Sequence, residues 1–247
     1  MDLGIAGWRA VVAGASAGLG FGVAQALVGE GVQVAICGRD TDRLEQAAAR
    51  LGAGTVAIPA DVSTLDGARA FVTEASARLG PLDILVPNAG GPPAGAFADT
   101  PSERYVDAFV LNCVSVVAMC EAAIPAMRAQ QWGRVVVITS IAVRQPKPAL
   151  ILSNTARAGV TGFLRTVARE VAGDGVTVNS LQPGFHDTDR LRSLGADLDG
   201  VGASIPARRL GEPADFGAVA AFLCSDHARF VTGTALQIDG GEYEGLL

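Results

Sequence analysis

One lysine, two histidines, two tyrosines and two tryptophans stand among the 247 residues, with four cysteines. Each scarcity excludes a class of function. With Lys147 as the sole lysine, a net charge of −6 and no basic cluster, a polyphosphate backbone is not an expected partner, so nucleic-acid binding is set aside. His186 and His227 are too few and too far apart for a metal motif, and no metal is expected. Cys37, Cys113, Cys120 and Cys224 lack the short paired spacing of a zinc or redox site, so core packing is their expected job. The opening MDLGIAGWRA has neither a basic stretch nor a long apolar one, so no secretory signal is read there. Apolar runs such as VVVITSIAV are too short to span a bilayer and are β-branched, as buried strands are. The expectation is a cytoplasmic protein without membrane contact.

What is present is apolar: 49% hydrophobic against 18% charged residues, enough for one large core and no linker, hence a single domain over residues 1–247. Short apolar runs alternate with helical patterns: WRAVVAG, VQVAICG, TVAIPAD, LDILVPNAG, GRVVVITS, VTVNSLQPG and TALQIDGG. Helices are expected between them, among them long ones near 101–130 and 150–173 and one near 212–224. Strands apolar on both faces require cover on both faces, which predicts a doubly wound parallel α/β sheet wrapped by crossover helices.

The first run is followed by AGASAGLG, which places Gly14, Gly18 and Gly20 in a strand-to-helix turn. Glycines there let the backbone bend and approach a pyrophosphate, favoured by the amides and dipole of the helix N-terminus. An acid ending the second strand would bind a free ribose 2′-hydroxyl; here the chain reads Gly38-Arg39-Asp40. Arg39 suits a 2′-phosphate, so NADP(H) is expected over NAD(H), although Arg39 as a solvated loop cation and Asp40 as a ribose partner both stay open. Asp61, in ADV, is either a helix cap or a partner of the adenine amine. Asn88, Ala89 and Gly90 end the fourth strand, either beside the cofactor or as turn residues alone.

AGASAGLG, ADV, PNAG, the Asn112 of LNCVS, the Ser140 of VVVITS, QPGFHDT and GTALQIDGG, in that order, resemble the short-chain dehydrogenase/reductase family over essentially the whole chain. The resemblance implies a Rossmann-like three-layer fold with one seven-stranded sheet and a homodimer or homotetramer built through the two long helices, with the tail EYEGLL adding to the contact. It also implies a cofactor site that includes Ser16, Leu19 and Val62 with the residues above, and Pro183, Gly184 and Thr188 beside the nicotinamide. The family's catalytic set is Asn, Ser, Tyr and Lys. Asn112 and Ser140 match, but Ser153 stands at the tyrosine position and Arg157 at the lysine position.

Four residues apart on a helix, Ser153 and Arg157 share a face and can touch. A serine hydroxyl is shorter and a poorer acid than a tyrosine's, and a guanidinium cannot recycle a proton, though Arg157 can still bind the nicotinamide ribose and stabilise negative charge. Losing a general acid costs roughly 10² to 10⁴ in rate, whereas near-attack positioning supplies about 7 to 11 kcal/mol. Hydride transfer is therefore impaired and not forbidden. His186 and Asp187 stand where a substitute acid is wanted, with an exposed loop histidine and a capping aspartate as the plainer reading. Arg144 and Lys147 lie on the segment expected to line the substrate pocket, either as anion binders or as a solvated loop. The sequence thus points to an NADP(H)-dependent oxidoreductase acting on a small carbonyl or hydroxyl compound. A cyclase, dehydratase or isomerase, or a catalytically silent subunit, are the alternatives.

Overall fold

The computed structural model describes residues 2–246. Seven strands form one sheet: β1 (Arg9–Val12), β2 (Gln33–Gly38), β3 (Val56–Pro59), β4 (Ile84–Val86), β5 (Gly133–Ile138), β6 (Val176–Pro183) and β7 (Ala235–Ile238). All pairings are parallel, in the order β3-β2-β1-β4-β5-β6-β7. The alternation of side chains along each strand splits the core in two. In β1, Val11 turns to one face, where Phe71, Met119 and Leu164 cover it. Ala10 and Val12 turn to the other, beneath Phe21, Leu27 and Phe216.

The helices α1 (Gly18–Gly29), α2 (Thr41–Leu51) and α3 (Leu65–Leu79) connect the first four strands. Next come α4 (Glu103–Phe109) and α5 (Ser115–Ala129), then α6 (Ile151–Val171). The segment near 189–211 forms two short helices, α7 (Asp189–Ser193) and α8 (Leu198–Ser204), before α9 (Pro213–Cys224). The long helix expected near 101–130 exists, but a π-helical turn at Val110–Val114 joins α4 to α5 and carries Asn112. Such turns are concentrated at functional sites.

This joining also corrects the reading of apolar length. The continuous helix Glu103–Ala129 is 27 residues long, and its most apolar window has a mean hydropathy of 1.8, enough by length and composition to cross a membrane. The apolar runs read singly were shorter because they miss the continuity. Half of that window is buried in this fold, against α3 and α6.

Cys37, Cys120 and Cys224 are buried and free, and burial pushes each thiol up to about 12, so they pack and do not react. Cys113 is half-buried. The order of strands reverses at β1, whose neighbours are β2 and β4, and the crevice beyond the carboxyl ends of strands at such a reversal is where doubly wound sheets bind ligands.

Candidate active site

A cleft of about 430 Å³ opens at that reversal. Its wall takes residues from the ends of β1, β4, β5 and β6, and from the loops that follow them. Gly14, Ser16, Ala17, Gly18 and Leu19 form one end. Gly14 has φ +56°, a left-handed conformation that favours glycine. Gly20 lies beneath: a methyl there would come within 2.5 Å of the Gly14 carbonyl oxygen and 2.9 Å of Asn88 Nδ2. Asn88 binds this turn to the end of β4, its Nδ2 donating to the carbonyls of Ala13 (3.2 Å) and Gly14 (3.1 Å).

The start of α1 differs from its neighbours. Asp40 caps α2, Thr64 caps α3 and Thr188 caps α7, each accepting a backbone N–H. Residue Ala17 precedes α1, offers no side-chain cap, and no acid occupies the first turn. A helix start leaves N–H groups without intrahelical partners, and here Gly18 and Leu19 line the cleft, so these donors suit an anion. The residues present therefore fit the pyrophosphate of a dinucleotide.

The expected contacts at the ribose end divide. Arg39 and Asp40 are exposed and Val62 is buried; with Asp61, all lie outside the cleft wall among the described residues. The Asp40 carboxylate accepts from Arg43 N at 3.0 Å, which makes it a helix cap. Asp61 accepts from the Ser63 hydroxyl (2.7 Å) and amide (3.0 Å), and these bonds, with the charge of Arg39, hold its carboxyl below the usual range. Arg43, on α2 close after these residues, does line the cleft, paired with Asp189 across its mouth. The next residue, Arg190, donates from Nη2 to the Pro92 carbonyl at 2.8 Å, so α7 is tied to both sides of the opening.

At the other end stand Ser140, Ser153 and Arg157, with Pro183, Gly184 and Thr188. Ser140 Oγ accepts from Ala142 N at 3.1 Å and caps a short turn after β5. Ser153 and Arg157 do touch: Arg157 Nε donates to Ser153 Oγ at 3.2 Å. Arg157 Nη1 donates to the carbonyls of Ile138 (3.1 Å) and Thr139 (3.0 Å), so much of this guanidinium serves the end of β5. Burial, with a smaller contribution from the charge of Arg190, lowers Arg157 to about 10, which leaves it charged at neutral pH. Asn112 is buried behind the wall, its Nδ2 donating to the Gly90 carbonyl at 3.1 Å and its Oδ1 without a partner.

His186 lines the cleft but its ring packs inward. Nδ1 faces the Gly184 carbonyl at 3.2 Å, the ring meets Phe216 edge-on at 5.3 Å, and burial lowers its pKa. The exposed-loop picture of His186 is therefore replaced by a buried, packed ring. Asp187 pairs with Arg192. Arg144 turns away from the cleft, donating to the Ala235 carbonyl at 3.3 Å and stacking over Tyr243. Lys147 turns in and pairs with Glu242, which also lines the cleft. The tail expected at a subunit contact thus sends Glu242 inward, while Leu247 lies outside the described residues.

Arg43, Asp189, Arg190 and Glu242 escaped the sequence reading. For Arg43 a signal existed, since it is one helical turn inside α2, directly after the strand whose end reads the ribose. For Glu242 none did, because only the folded chain brings it to Lys147.

Comparison with known proteins identifies the family. A family model described as Enoyl-(Acyl carrier protein) reductase matches residues 14–242. Nodulation protein G of Azospirillum brasilense is 34% identical over 239 residues, covering 94% of this chain and 96% of that protein. The 3-oxoacyl-[acyl-carrier-protein] reductase FabG of Salmonella typhimurium is 33% identical over 235 residues, covering 95% and 96%. The solved structure of L-sorbose reductase from Gluconobacter frateurii, complexed with NADPH and L-sorbose, superposes with a TM-score of 0.92 at 30% identity and covers 100% of both chains. The chain belongs to the short-chain dehydrogenase/reductase family.

Proposed function

We propose that this protein is an NADP(H)-dependent oxidoreductase that interconverts a small ketone and its alcohol, without the family's tyrosine and lysine. The observation that carries the reading is the shared wall: the uncapped start of α1 and the hydroxyls of Ser140 and Ser153 line one cleft. When bound, the coenzyme supplies or accepts a hydride. The leading amides of α1 hold its pyrophosphate, and Arg43, released from Asp189, meets the 2′-phosphate. The relatives' names support this choice, since the Gluconobacter frateurii reductase was solved with NADPH.

Ser140 and Ser153 bind the substrate oxygen. Because Arg157 Nε donates to Ser153 Oγ, the serine's own hydroxyl hydrogen is free to point into the cleft, and the charged donor polarises it. Fixed donors of this kind stabilise developing negative charge without being acids. Asn112 holds the Gly90 carbonyl and so positions the loop that follows β4. Substrates of the relatives suggest the probes: acetoacetyl-CoA and ethyl acetoacetate as 3-oxoacyl compounds, and L-sorbose as a sugar.

The half of the apolar window that is not buried, and separately Val106 on α4 at 66% exposure, support a homodimer or homotetramer through that helix and α6, measurable by light scattering. The functional test is calorimetric titration with NADPH and NADH, followed by NADPH consumption with the three probes. Tighter binding of NADPH and its stoichiometric oxidation are expected. Binding without oxidation would favour a non-redox enzyme or a silent subunit, and no binding would remove the reading altogether.

A further inference from the structure

The missing tyrosine leaves the reaction without a proton donor, and the cleft wall narrows the choice of a replacement. Arg157 donates to Ser153, Ile138 and Thr139, Arg190 to Pro92, and Arg43 pairs with Asp189. Guanidinium groups in any case do not recycle protons. His186 has Nδ1 on the Gly184 carbonyl and its ring edge-on to Phe216, and Gly211 packs so closely that a methyl there would come within 2.6 Å of Nε2. Nδ1 is taken by the carbonyl, and Nε2 stands hemmed against Gly211 without a hydrogen-bond partner among the described residues.

Lys147 is different. Its ammonium has three N–H groups, of which Glu242 takes one, and it lies 5.6 Å from the centre of the Phe185 ring. Its backbone is clamped by Asn154: Asn154 Nδ2 donates to the Lys147 carbonyl at 2.9 Å, and Lys147 N donates to Asn154 Oδ1 at 3.4 Å. Asn154 directly follows Ser153, so the same turn of α6 sets both the serine hydroxyl and the lysine.

The partner is also fixed. Glu242 is 12% exposed, one oxygen meets Lys147, and the other is buried with no hydrogen-bond partner. Neighbouring bonds from Glu244 N to Gln145 Oε1 (3.1 Å) and from Tyr243 N to Asp239 Oδ2 (2.9 Å) hold the tail in place. Lys147 is the only cation paired with Glu242 among the described residues, so the pair fixes where the ammonium stands.

We propose that Lys147, set by Asn154 and Glu242, delivers the proton to the substrate oxygen in place of the absent tyrosine. This rests on reading the cleft as a carbonyl-reducing site. In the reducing direction the carbonyl carbon gains a hydride, for which the reduced coenzyme is the source, and the C=O π pair moves onto oxygen. There the O–H bond forms as an Nζ–H bond of Lys147 breaks. The neutral amine takes a proton from solvent, so each turnover consumes one ketone, one reduced coenzyme and one proton. Asn154 and Glu242 act through Lys147 and are positioning residues.

Lys147→Arg keeps the charge and the Glu242 contact but not a transferable proton. It is expected to lower kcat for the best of the three ketone probes by roughly 10² to 10⁴, with the calorimetric Kd for NADPH within about twofold of the parent's. Lys147→Ala should fall equally and recover in proportion to added ethylammonium. Because that change strands Glu242, Lys147→Ala/Glu242→Gln, which removes both charges, is the control for folding. A readout independent of turnover comes from protein made with [13Cε]lysine, which has a single lysine signal. That signal should shift when NADP+ and ethyl 3-hydroxybutyrate fill the cleft. Lys147→Arg turning over at the parent's rate, Lys147→Ala indifferent to ethylammonium, or a signal that does not move overturns the assignment. Failure of the parent protein to oxidise NADPH with any probe instead overturns the reductase reading itself, and the proton delivery with it.

Discussion

The two ends of the cleft were built to different standards of resemblance. At the α1 end, the turn from Gly14 to Gly20 keeps the family's glycines, the helix start is uncapped, and Asn88 locks the turn to β4. At the α6 end, the two residues that would move a proton have become Ser153 and Arg157, and the guanidinium is largely turned to the carbonyls of Ile138 and Thr139. Binding an anion asks only for backbone geometry, which many side chains leave undisturbed. Moving a proton asks for one group of suitable acidity at one place, so the chemistry can change while the coenzyme end stays as it was.

The comparison breaks most completely if the α1 end is filled. Gly20→Val places carbon where the Gly14 carbonyl and Asn88 already stand, and NADPH binding by calorimetry should disappear. Retained affinity would show that the turn does not need its present form. At the other end, Ser140→Ala/Ser153→Ala should reduce kcat by about 10²-fold or more, the scale of losing oxyanion donors, while NADPH affinity holds. Unchanged turnover would remove both hydroxyls from the mechanism.

Arg43→Ala sharpens the contrast within the coenzyme end. NADPH affinity should fall by about tenfold, the scale of one lost charge-assisted contact, with NADH affinity little altered. A fall shared equally by both coenzymes would return the 2′-phosphate to Arg39.

The smallest effect concerns stability. An unfolded histidine titrates near 6.5, and burial lowers His186 below that in the folded protein. Between the folded pKa and 6.5 the unfolded chain holds the extra proton, so stability drops as pH falls through that window and the contribution is complete above it. Urea unfolding at several pH values should show a shallower acid-side loss in His186→Gln. An identical slope would mean that His186 does not contribute to it.

Much of the fold was legible because its signals are local. Each strand is an apolar run, each crossover a helical pattern, and the four-residue spacing of Ser153 and Arg157 correctly placed them in contact. The cleft was legible where a motif is continuous, as in AGASAGLG, and illegible where residues meet only after folding. Arg39 follows β2 directly and is exposed, outside the cleft wall, whereas Arg43 lies one helical turn inside α2 and lines the opening. Lys147 and Glu242 are 95 residues apart, and no periodicity relates a loop after β5 to the segment after β7. The π-helical turn at Asn112 likewise has no mark in composition, since apolar residues flank it as they would any buried helix.

A cleft drawn from the ends of β1, β4, β5 and β6 and from Glu242 after β7 has a kinetic consequence. An all-parallel sheet assembles through distant pairings that form slowly, and no intermediate lacking β6 or the segment after β7 owns a complete wall. Recovery of coenzyme affinity during refolding would therefore lag behind the return of helical signal, serving as a clock for the last strands to dock.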